Sequence, residues 1–99
     1  MKYLIWLSRS CEGIKEVISA MRTQGIETDI LLVQDGVYLA DKGCTHVVEL
    51  ADLKIKVYAS KPHIEERGIG SRLAYDVNMV EYPEMVELIM EKYDKVISL

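Results

Sequence analysis

Cys11 has the clearest capacity for covalent chemistry in this chain of 99 residues. Read as part of a helix's first turn, it sits among free backbone amides at the positive end of the helix dipole, which stabilises a thiolate, and Arg9 adds positive charge. Glu12 opposes both effects. Such a thiol would act as a nucleophile or carry sulfur, although an ordinary exposed loop cysteine accounts for the same residue. His63 stands at a turn where it could move a proton, or simply be solvated. Asp35 could act as a base or orient a ligand, and its place before Gly36 is also explained by capping the next helix. Gln34, Ser60 and Lys61 supply the neighbouring polar groups. Cys44 with His46 makes two potential metal ligands without the others, so no metal is assigned, and buried packing explains Cys44. Gly68-Ile69-Gly70 follows a helix where a dinucleotide motif would follow a strand, and no P-loop or serine elbow is present. No cofactor is expected.

These residues need elements to hold them. Ile30 to Val33 is an unbroken apolar run breaking into Gln34-Asp35-Gly36, the pattern of a strand covered on both faces, as in parallel sheets sandwiched by helices. At this corner Gly36 is expected to permit a turn that a bulkier residue resists. Lys2 to Leu7 reads as an earlier interior strand. Ser10 is a candidate N-cap for a helix whose core stripe is Ile14, Val17, Ile18 and Met21, ending at Gly25. Gly36 to Lys42 reads as a short helix closed by Gly43, Thr45 to Leu50 is ambiguous, and Lys54 to Ala59 is a third strand. Pro62 suits the start of the following helix and Gly68 its end. Val77 to Glu81 reads as a fourth strand. Tyr82-Pro83-Glu84 opens a last helix with the stripe Val86, Ile89, Met90 and Tyr93, which Met85 and Leu88 widen. Parallel strands bring the loops after them to one edge, gathering Ser10, Cys11, Gln34 to Gly36, Ser60 to His63 and Tyr82. Arg67 and Arg72 are expected near the opposite end.

The chain bounds one small α/β domain, 1–99, three-layered around a mainly parallel sheet. It is 49% hydrophobic, too apolar for disorder. A net charge of −4 argues against gripping a phosphate backbone, so nucleic-acid contact would need a partner. Leu4 to Leu7 is far too short for a membrane span or a secretory core, which suggests a cytoplasmic protein. Two cysteines in a reducing compartment are expected as free thiols, and eight helical residues would carry Cys44 about 12 Å from the site edge, away from Cys11.

Four segments in order resemble the DsrH/TusB group of the DsrE-like sulfur-relay proteins. They are Leu31 to Tyr38 with its Gln-Asp-Gly-Val core, Lys56-Val57-Tyr58-Ala59, Glu66-Arg67-Gly68, and Tyr82 with Val86 and Leu88. The resemblance implies a flavodoxin-like sheet of about four strands and a subunit that assembles with itself and with DsrE/TusD-like and DsrF/TusC-like sister chains. In that family sulfur passes as cysteine persulfide, towards tRNA wobble-uridine thiolation or sulfur oxidation. Sister chains carry the persulfide in the loop after a central strand. The corresponding Ser60-Lys61-Pro62-His63 has no thiol, so the resemblance implies an auxiliary subunit. The competing expectations are that Cys11 itself carries persulfide, with Lys61 or His63 stabilising its thiolate, or that the chain is a homo-oligomeric binding module unrelated to sulfur.

Overall fold

Ile30, Leu31, Leu32 and Val33 are all fully buried, and they alternate between two cores. Ile30 and Leu32 point into one, Leu31 and Val33 into the other. That is what an apolar run does on a strand with both faces covered, because successive side chains point to opposite sides. The computed structural model describes residues 1–9, 13–46, 48–49, 55–74 and 76–99. Its strands are β1 (Lys2–Leu7), β2 (Glu27–Leu32), β3 (Val57–Ser60), β4 (Asn78–Val80) and β5 (Lys95–Ser98), its helices α1 (Lys15–Thr23), α2 (Lys61–Arg67) and α3 (Tyr82–Glu87). All pairings among these strands are parallel, in the order β4-β3-β2-β1-β5. Ile18 of α1 and Ile64 of α2 pack on one face, while Met85 of α3 and Leu88 just beyond it pack on the other. The expected three layers are present, with five strands among the described residues where about four were expected.

The fifth strand lies beyond Tyr93, the last residue of the expected helix stripe, where the sequence suggests no element. That helix loosens into a π turn over Leu88–Lys92, and the chain becomes extended at Tyr93. The Tyr93 hydroxyl donates to Asp29 Oδ2 at 2.6 Å, fastening this segment to β2. Burial, then the bonds to Asp29 and Tyr58, push the Tyr93 pKa upward, so the phenol stays protonated and keeps donating. β5 then pairs with β1, Tyr3 opposite Lys95 and Trp6 opposite Ser98.

The expected stripe of the last helix is corrected. Met85 and Leu88 are 3% and 5% exposed, whereas Val86 and Met90 are 59% and 74% exposed. Met85, Leu88 and Ile89 are the row that meets the sheet. The helix is apolar on two adjoining sides, so periodicity could not choose between them, and the π turn shifts the phase of the residues beyond it. Val17 of α1, also expected in a core, is exposed. Helix α1 begins at Lys15 with no side-chain cap. Ser10, Cys11 and Glu12 lie outside the described residues, as do Val47 and Leu50 of the ambiguous segment and Lys54 of the expected third strand.

Asp41 holds the segment after β2 to the loop before β4. Its carboxylate accepts from Arg72 Nε at 2.8 Å, Arg72 Nη2 at 3.4 Å and the Gly43 amide at 3.2 Å. Backbone bonds from Lys42 N to Arg72 O and from Ala74 N to Ala40 O flank it. The Arg72 hydrogen bond is the main cause holding Asp41 below its ordinary pKa, against the opposing effect of burial. A carboxyl depressed in the folded state contributes stability above its unfolded pKa and loses it as pH falls through the folded value. Asp41→Asn is therefore expected to lower the urea midpoint at pH 7 and to flatten its decline below about pH 4. Urea melts of both proteins from pH 7 to pH 2.5 check this, and parallel pH profiles would refute it.

Candidate functional site

The corner after β2 and the loop after β3 meet through His63. The Gln34 backbone amide donates to His63 Nδ1 at 2.8 Å, so that nitrogen must carry a lone pair and the ring proton resides on Nε2. Nε2 lies 3.4 Å from the Tyr82 hydroxyl, and the two rings meet edge to face with centroids 6.0 Å apart. His63 is held in turn by its own helix. Ser60, fully buried, is the N-cap of α2, and its Oγ accepts the His63 amide at 3.4 Å. Pro62 occupies the first turn and Gly68, at φ +64°, closes the helix in the left-handed conformation, both as expected. Lys61 is exposed at the start of α2.

Asp35 does not cap a helix. The segment Gln34–Ala40 is a 3₁₀ helix preceded by Val33, with no side-chain cap. Asp35 Oδ1 instead accepts from Arg67 Nε and Nη2, each at 3.1 Å, and Arg67 Nη1 reaches the His63 carbonyl at 3.4 Å. This moves Arg67 from the far end of the sheet, where sequence reasoning put it, to the site edge. A seven-residue helix is only about 10 Å long, and a side chain at i+4 leans back over the turn before it. Those two facts were the available signal for Arg67. The left-handed residue at this corner is also different from the expected one. Gln34 has φ +49°, whereas Gly36 is needed for close approach, since a Cβ there would sit against the Leu7 carbonyl, 2.7 Å from its carbon.

Gln34, Asp35, Gly36, Ser60 and His63 are thus brought together, with Tyr82 and Arg67 completing the edge. The loop after β1 brings Ser8 and Arg9 to an open depression of about 500 Å³, lined also by Ile14, Val17, Ser98 and Leu99. The expected nucleophile, Cys11, lies outside the described residues. Cys44 is disulfide-bonded, which overturns its reading as a free thiol. The chain carrying it does not leave the site edge as a straight α-helix. The 3₁₀ segment stops at Asp41, which is extended, and the Cys44 amide bonds back to the Asp41 carbonyl at 3.0 Å. The helical rise used for the 12 Å separation does not apply to such a path. Among the described residues no cluster of three or more His, Cys, Asp or Glu could hold a metal ion, and no helix is long and apolar enough to cross a membrane.

A family model described as "DsrH like protein" matches residues 10–96. The chain belongs to the DsrH-like family. Relatives include Protein TusB of Salmonella arizonae and Protein TusB of Salmonella newport, each 40% identical over 62 residues, or 63% of this chain. The matched segment spans 65% of the length of those relatives. The ychN protein from E. coli has the same fold, with a TM-score of 0.77 over all of both chains at 18% identity. A protein of unknown function from Methanobacterium thermoautotrophicum also has a TM-score of 0.77, at 14% identity over 99% of this chain and 98% of its own. In this DsrH-like chain the loop after β3 begins with a buried serine engaged in capping, and the neighbouring imidazole is committed to two fixed partners.

Proposed function

We propose that this DsrH-like chain is a cytoplasmic subunit of a sulfur-relay complex, acting as one domain, 1–99, beside DsrE/TusD-like and DsrF/TusC-like sister chains. The relay moves persulfide sulfur towards tRNA wobble-uridine 2-thiolation or sulfur oxidation. The carrying observation is the family match across residues 10–96. In each transfer an acceptor thiolate attacks the outer sulfur of a persulfide, the S–S bond breaks, and the donor cysteine leaves as a thiolate. The role assigned to this chain is auxiliary. Gln34, Asp35, Lys61 and His63 form a rim, shaped from beneath by the buried Gly36 and Ser60, against which a sulfur-bearing loop of a sister chain rests, and Cys11 is the candidate for a thiol of its own when the protein is reduced.

The test mixes the purified chain with its DsrE-like and DsrF-like sisters, measures the mass of the assembly, and follows sulfur from a persulfide donor by intact mass. A mixed complex is expected, with sulfur on the DsrE-like chain. Failure to associate with either sister would overturn the reading. Loading reduced wild type and reduced Cys11→Ser in parallel decides the auxiliary role. A sulfur adduct on the wild type that disappears in the variant would make this chain a carrier.

A further inference from the structure

The exposed side of α3 bears an apolar row that neither core uses. Tyr82, Val86 and, in the π turn beyond α3, Met90 are each more than half exposed, and they follow one another at i, i+4, i+8. The row starts at the site edge, where Tyr82 meets His63. It is bordered mainly by negative charge, with Lys92 at its far end. From Glu81 to Glu91 there are four glutamates, Glu81, Glu84, Glu87 and Glu91, and no lysine or arginine. All four are exposed, and among the described residues none takes part in an ion pair. Exposed apolar rows of this size with a polar border mark interaction sites.

We propose that this face docks a different protein chain whose surface sets lysines and arginines around an apolar patch. Charge decides against a second copy. In a two-fold contact the same patch meets itself, so the glutamates of one copy would face those of the other. A head-to-tail contact would have to offer the glutamates a basic rim, and at the opposite end of the sheet Lys2, Arg22 and Lys56 share their depression with Glu27 and Asp29. A foreign basic rim satisfies the glutamates and offers cations to the Tyr82 ring, while apolar side chains cover Val86 and Met90.

The inference rests on the sulfur-relay reading for its probes, the DsrE-like and DsrF-like chains. Affinity and association rate are measured for wild type, for Val86→Ser/Met90→Ser and for Glu87→Lys/Glu91→Lys, with circular dichroism and melting as folding controls. Every substituted side chain is exposed, so folding should persist. At least tenfold weaker binding of one sister is expected for each double variant. The charge reversal should also flatten the salt dependence of the association rate. Binding within twofold of wild type for both variants overturns the docking face and leaves the sulfur-relay reading standing. Wild type that binds neither sister overturns both. A wild-type homodimer that Val86→Ser/Met90→Ser dissociates overturns the choice of partner.

Discussion

Gly36→Ala is expected to cause the largest loss of stability of any single methyl addition among the described glycines. The new Cβ would overlap the Leu7 carbonyl oxygen and lie 3.3 Å from Ser8 Cα, so every nearby atom in its way is backbone. A flexible side chain could swing aside, but a carbonyl whose oxygen already accepts the Val33 amide at 3.0 Å cannot move without separating β1 from the chain leaving β2. Overpacking a core costs about 1–3 kcal/mol and more where the backbone must move, against about 5–15 kcal/mol for a whole domain. We expect about 3 kcal/mol or more, a lower urea midpoint with an unchanged slope. Gly25→Ala is a useful contrast, because nothing lies within 4 Å of its Cβ and its cost comes from φ +77° alone. Equal losses at the two positions would refute the close-approach account.

Leu31→Ala is expected to rank next, at about 2–5 kcal/mol. Leu31 is fully buried in the smaller of the two cores, shared with Leu4, Val33, Val80, Met85 and Leu88. Few side chains are present to close in on the space left behind, which favours the upper part of that range. With about 4–8 °C of melting temperature per kcal/mol in a domain of this size, thermal denaturation should drop by roughly 10 °C or more. Val86→Ala on the exposed side of α3 should melt within a few degrees of wild type. A Leu31→Ala protein melting like the Val86→Ala protein would mean that the core over that face is not closed.

The parts of this fold that declare themselves in the sequence are those with a single physical reason. Ile30 to Val33 had to be covered on both sides, Pro62 and Gly68 could only bracket a helix, and strand followed by helix repeated along the chain. The misread parts had two reasons competing. The closing helix is apolar over Met85, Val86, Leu88, Ile89 and Met90, so its inward side depends on how the π turn sets it against the sheet. Lys95–Ser98 is a four-residue edge strand, largely exposed and too short and too mixed to stand out as an element. The site edge was legible as a set of loops, since parallel strands collect them. Which groups paired was not. The bond from Gln34 to His63 and the ion pair of Asp35 with Arg67 join residues 29 and 32 positions apart, and no local pattern encodes them.

The pairing of β5 with β1 also sets an order in time. The Lys2 amide bonds to Asp94 Oδ2 across 92 positions, and Leu99 N reaches Trp6 O at 2.9 Å. On the ribosome β1 emerges long before its partner β5, and one of its edges stays bare until residues 95–98 emerge. Pairings of such long range form late and slowly, and an unpaired strand edge invites association with other nascent chains. While that strand waits, the growing polypeptide is most exposed to wrong company, and Lys95–Ser98 are the residues that end the wait.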